Sequence, residues 1–150
     1  MTLEELQDLA RKAFATTYSF LTVAQCYHWN VEGPHFLEYH DLFGKVYKEV
    51  DGKLDVFAEQ IRAIRGYAPA SFTELIRLSS IAEYEGTPVQ HTPEEMVRQL
   101  YLANGLVNTD LITAYNAAEM EQEHGLANFL SERMDQHRKH GWMLYSTMKV

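Results

Sequence analysis

The amino-acid sequence predicts an all-α fold: four long helices in a bundle, with a short extra helix in the connection between the second and the third. Three observations predict it. Only four prolines interrupt the 150 residues. The stretches between them carry apolar residues at steps of three and four, the period of a helix face. Capping boxes, in which a Ser or Thr hydroxyl and a Glu three residues later satisfy each other's backbone N–H groups, mark three helix starts. No strand is needed to account for the pattern.

The first long helix is predicted to begin at the capping box Thr2-Leu3-Glu4-Glu5, run through Leu6, Ala10, Ala13, Thr17, Leu21 and Ala24, and stop before Gly33-Pro34. His28 falls one turn beyond Ala24 on the same face. The second starts near Pro34, follows Phe36, Phe43, Tyr47, Val50, Leu54 and Ile61, and closes at Gly66 with Arg62 and Arg65 in its last turn. Residues 66–92 contain Gly66, Pro69, Gly86 and Pro88. Within them the capping box Ser71-Phe72-Thr73-Glu74, followed by Leu75, Ile76 and Leu78, predicts a short helix inside a long crossover. The third long helix opens at Thr92-Pro93-Glu94-Glu95, which joins a cap to a proline in the first turn, and continues through Leu100, Val107, Leu111 and Ala118. A polar break around Glu119 to Gly125 precedes the fourth, which carries Leu126, Leu130, Met134, Gly141, Leu144 and Met148. Two hairpins joined by one long crossover form the ferritin-like variant of the four-helix bundle. There is no internal repeat, and residues 1–150 are expected to form one domain.

Composition narrows the function classes. With 46% apolar residues, the chain can bury a core without disulfides or a structural metal. Thirteen Lys and Arg against 21 Asp and Glu give a net charge of −8, which disfavours a surface built for nucleic-acid phosphates or anionic lipid and suits cations. The single cysteine, Cys26, lies in an apolar helical segment and is expected to be a small buried hydrophobe in a reducing compartment. The opening MTLEELQDLARKAF lacks a basic region before an apolar run, and no stretch of about 18 uncharged apolar residues occurs. A soluble, cytoplasmic protein without membrane contact is expected.

Four residues stand out as metal ligands. Asp55 and Glu59 are four apart, so both carboxylates lie one turn apart on one helix face and can reach one cation. At 100° per residue, His40, Asp51, Asp55 and Glu59 form a polar stripe beside the apolar stripe of Phe43, Tyr47, Leu54 and Ile61, where a second interface would lie. Folding the hairpin at Gly33-Pro34 brings His28 and His40 to similar heights on neighbouring helices. His40 and Asp55, however, are fifteen residues apart on one straight helix, roughly 22 Å at 1.5 Å per residue. One chain cannot join them. Two copies of the helix packed antiparallel about a two-fold axis would bring the His28/His40 end of each chain to the Asp55/Glu59 end of the other, twice. Mixed imidazole and carboxylate donors suit iron, zinc or manganese better than calcium or magnesium. The Glu-x-x-His motif of an intrachain ferritin-like centre occurs only as Glu32-Gly33-Pro34-His35 and Glu121-Gln122-Glu123-His124, both at helix breaks.

The stretch His28-Trp29-Asn30-Val31-Glu32-Gly33-Pro34-His35-Phe36, then His40, then Asp55-Val56-Phe57-Ala58-Glu59, closely resembles the signature of the Dps family of mini-ferritins. The resemblance extends through the helix-bearing crossover to the Trp142 region. It implies a hollow homododecamer built from two-fold dimers, oxidation of Fe(II) by hydrogen peroxide or oxygen at intersubunit sites, and storage of ferric mineral inside. His28 and His40 would ligate from one subunit and Asp55 and Glu59 from its two-fold mate, with Trp29 either the aromatic beside the site or plain interface packing. The family often places another aspartate one turn after the second histidine; Gly44 stands there, which weakens a second iron position or leaves it to Asp41 or water. Asp51 lies on the ligand stripe and could support the ligands from behind, but reads better as a solvated or ion-paired carboxylate. Glu121, Glu123 and Glu132 are candidates for an acidic pore. His35, His91, His124, His137 and His140 have no partner set that spacing supports. The lysine-rich tails with which some relatives bind DNA are missing from the printed sequence, so direct DNA binding is not expected. A nucleoid-associated binding protein and a structural cage with a degenerate metal site remain the competing readings.

Overall fold

The computed structural model describes residues 1–81 and 91–149, and among these it contains five helices and no strand. They are α1 (Leu3–Asn30), α2 (Phe36–Ala63), α3 (Phe72–Leu78), α4 (Pro93–Met120) and α5 (His124–Met148). Helix α1 packs against α2, α3 and α4, and α4 against α5. This is the ferritin-like bundle with its helix-bearing crossover. The crossover residues Gly86 and Pro88 lie outside the described residues.

All three caps form where the sequence predicts, and one of them is a full reciprocal box. Thr2 and Glu5 form the full reciprocal box, and Thr92 accepts from the Glu95 N–H with Pro93 in the first turn. Ser71 accepts from the Glu74 N–H, but the Glu74 carboxylate pairs with Arg11 of α1, so the short helix is tied to the bundle by its cap residue.

Two helix ends differ from expectation. At the end of α2 the left-handed residue is Arg65 (φ 72°) rather than Gly66; Gly66 donates to the Ile61 carbonyl and Arg65 to that of Arg62. The α4–α5 turn repeats this pattern: Gln122 (φ 59°) is left-handed, Glu123 donates to Ala118 and Gln122 to Glu119. Both are Schellman motifs, which satisfy the last carbonyls of a helix in three residues. The polar break predicted over 119–125 is therefore only residues 121–123. Helix α2 in turn starts at Phe36, after Gly33 (φ 136°), a conformation that favours glycine, has turned the chain.

The core line of α5 also departs from expectation. It runs through Leu126, Leu130, Arg133, His137, His140 and Leu144, all buried, while Met134 and Gly141 sit half-buried beside it. The three polar residues on this line form one network. Arg133 donates two bonds to Glu49 of α2, at 2.6 and 2.8 Å, and His140 Nε2 donates to the same carboxylate at 2.8 Å. His137 Nδ1 donates to Asn104 Oδ1 of α4 at 2.8 Å, which leaves its Nε2 as the acceptor facing Arg133 at 3.5 Å. Phe57 against Phe129 adds an apolar bridge between α2 and α5.

Burial alone would raise the Glu49 carboxyl, but the hydrogen bonds and charges of Arg133 and His140 outweigh it and hold the group far below its ordinary 4.5. Burial first, then the charges of Arg133 and His140, push His137 well below its ordinary 6.5. Both groups bind fewer protons folded than unfolded, so both contribute stability that is present at neutral pH and lost on acidification. The His137 share begins to fall below 6.5 and the Glu49 share below 4.5. The denaturation midpoint in urea is expected to fall between about pH 7.5 and about pH 5.5, and to fall less in a His137→Gln variant. A midpoint that is flat or rises over that range would contradict this account.

Candidate metal centre

His28 and His40 face each other across the α1–α2 hairpin. Their rings stack with centroids 3.8 Å apart and planes 15° from parallel. Each Nδ1 lies 2.6 Å from the backbone carbonyl oxygen of the other residue. A carbonyl only accepts, so each Nδ1 carries the proton and donates. Both imidazoles are thereby held in the tautomer whose Nε2 keeps its lone pair, the form that ligates a metal. Phe36, expected in the core line of α2, is instead 38% exposed and stacks on His40 with centroids 5.0 Å apart. Tyr47 lies 5.4 Å from the His28 ring. Their spacing from His40, four residues before and seven after, was the available sign that α2 frames the pair with aromatic rings.

Asp55 and Glu59 are one turn apart on α2, exposed, and without a hydrogen bond or ion pair among the described residues. Phe57, buried between them, anchors that turn to the core. An unbroken helix separates them from His40. The structure thus brings His28 and His40 together and leaves Asp55 and Glu59 as a second, separate pair. Among the described residues no group of three or more His, Cys, Asp and Glu side chains could hold a metal. The bundle interior instead carries the Arg133 guanidinium on Glu49. Leu37, 69% exposed, shares the α2 face of Asp55, and Trp29, 64% exposed, follows His28.

The other candidates sort by environment. Asp51 is exposed. Glu132 lies 3.5 Å from Lys53 and 3.8 Å from Arg133, while Glu121 and Glu123 sit half-buried in the α4–α5 turn. His35 and His124 are exposed, His137 and His140 are core groups, and His91 Nδ1 is 3.5 Å from the Tyr27 hydroxyl. Cys26 is only half-buried, a correction to the expected core position, and its sulfur accepts a long hydrogen bond from Asn30. No helix among the described residues is long and apolar enough to cross a membrane.

Comparison with known proteins identifies the family of the chain. Residues 3–149 match the family model described as ferritin-like domain. The DNA protection during starvation protein 2 of Bacillus anthracis is 27% identical over 141 residues, 94% of each chain. The DNA protection during starvation protein of Brevibacillus brevis is 31% identical over 120 residues, 79% of this chain and 77% of that one. The structure of Dps from Thermosynechococcus elongatus superimposes with a TM-score of 0.91 at 22% identity, covering 98% of this chain and 92% of that one. The chain therefore belongs to the ferritin-like domain family, as a mini-ferritin of the Dps type.

Proposed function

We propose that this protein oxidises Fe(II) with hydrogen peroxide or oxygen at sites shared between two copies of the chain and stores the ferric product inside a hollow homo-oligomer, a dodecamer of two-fold dimers. Iron storage and protection are the general work of the family, and ferritin-like diiron-carboxylate proteins oxidise Fe(II) as a class. The observation that carries the finer reading is the division of the donors. A locked imidazole pair sits at one end of α2, and two unpaired carboxylates, Asp55 and Glu59, sit about 22 Å away at the other. A two-fold axis between the ends completes both sites at once. The exposed Trp29 and Leu37, both at the histidine end of the hairpin, fit a face that another copy covers.

The stacked rings also bear on how many ions are held. In-plane lone pairs in planes only 15° from parallel, with centroids 3.8 Å apart, cannot converge on one ion at a bond length of about 2.1 Å. They would favour one ion on each imidazole, as in two-metal sites. Two neighbouring Fe(II) ions suit peroxide. Each gives one electron, the oxygen–oxygen bond breaks, and two hydroxides are released to the hydrolysing Fe(III), with no free radical formed.

The test is anaerobic Fe(II) loading followed by peroxide, read as ferric absorbance, for wild type, His40→Ala, Asp55→Ala and the two variants after subunit exchange. Each variant alone is expected to be slow. In the mixture half of the dimers are mixed, and each mixed dimer has one intact site of two. About one quarter of the wild-type rate should then return. A mixture no faster than the separate variants rules out the shared site, and a wild type no faster than buffer removes the oxidase reading.

A further inference from the structure

We infer that Gly44 is a positioning residue for His28, a role that rests on the shared-site reading above. Along α2 the residues facing α1 at this level are His40, Gly44 and Tyr47, so two rings flank a position with no side chain. The His28 imidazole sits in that notch. A Cβ built on Gly44 would lie 2.7 Å from His28 Cε1 and 2.9 Å from Nδ1, far inside contact distance. The ring has no easy retreat. It stacks on His40 at 3.8 Å, lies 5.4 Å from Tyr47, and its Nδ1 donates to the His40 carbonyl at 2.6 Å. In this packing a side chain at 44 would break the stack, the hydrogen bond, or both, and so release the restraint that keeps the His28 Nε2 lone pair free. The backbone does not require glycine here, because the position is mid-helix and alanine is the better helix former. The demand comes from the ring.

Cobalt(II), a spectroscopically visible divalent ion, tests this on the assembled oligomer. Its binding is followed by visible absorbance for wild type, Gly44→Ala, His28→Ala and the double variant, with thermal melting of each metal-free protein alongside. Gly44→Ala is expected to bind about 10- to 100-fold more weakly, with altered ligand-field bands. The double variant should bind no more weakly than His28→Ala, because the added methyl has nothing left to displace. Wild-type affinity and spectrum in Gly44→Ala, or losses that simply add, would overturn the inference while leaving the shared site standing. Unchanged binding in His28→Ala would remove the shared-site reading itself. Should Gly44→Ala fail to assemble, assembly of the double variant still locates the clash at His28, and failure of both refutes it.

Discussion

Replacing Arg133 with methionine is expected to lower folding stability by about 3 kcal/mol, the low end of the range for breaking a buried ion pair. The guanidinium is 1% exposed and makes both of its short bonds to Glu49, which is itself 24% exposed. Methionine fills much of the volume, so the loss measures the stranded carboxylate more than a cavity. Residual solvation of Glu49 and its bond from His140 keep the cost from the top of the range. A second change, Glu49→Gln in the Arg133→Met background, removes the unpaired charge and should recover part of the loss. Denaturation at one fixed protein concentration checks both statements, since assembly contributes to the apparent stability. A double variant no more stable than Arg133→Met would show that packing, not charge, was lost.

Phe57→Ala should cost about 3–5 kcal/mol, as large-to-small changes at buried aromatics do. Phe57 is 1% exposed and meets Phe14 of α1 edge-on at 5.5 Å and Phe129 of α5 at 5.3 Å, so one ring joins three helices. Phe57→Leu leaves a smaller void and is expected to cost less than half as much. On the shared-site reading the position would bear on the chemistry too, because Phe57 lies between Asp55 and Glu59 and anchors their turn to the core. Denaturant midpoints give the first effect. Cobalt(II) affinity of the still-folded Phe57→Leu gives the second, and wild-type affinity there would show that the carboxylates need no anchor.

What could be read from the sequence was local or periodic. Thr2, Ser71 and Thr92 announced three helix starts because a cap and its glutamate lie within four residues. The hairpin that pairs His28 with His40 followed from two distances to Gly33-Pro34. Helix ends were harder: a Schellman turn closes equally well around Arg65 or Gln122, so glycine was not where the left-handed residue had to be. The buried polar network was missed because its members sit on three helices and because arginine and histidine break an apolar stripe. Yet the steps 126, 130, 133, 137, 140, 144 keep the core period, and reading position before residue type would have found it. The seat that Gly44 makes for His28 was not legible at all, since a close approach between helices leaves no mark in spacing.

The two halves of the proposed centre differ in stiffness. The imidazoles gave up their rotamer freedom when the chain folded, through the stack and the paired carbonyl bonds. The carboxylates of Asp55 and Glu59, exposed and unpaired, still hold theirs. On the shared-site reading, the entropy lost on capture falls on one chain while the rigid donors belong to the other. Each ion then acts as mortar between subunits. By linkage, whatever free energy it gains in binding the joined pair also opposes their separation. Such a cage would be more firmly closed with metal than without it, with its cargo helping to hold the walls together.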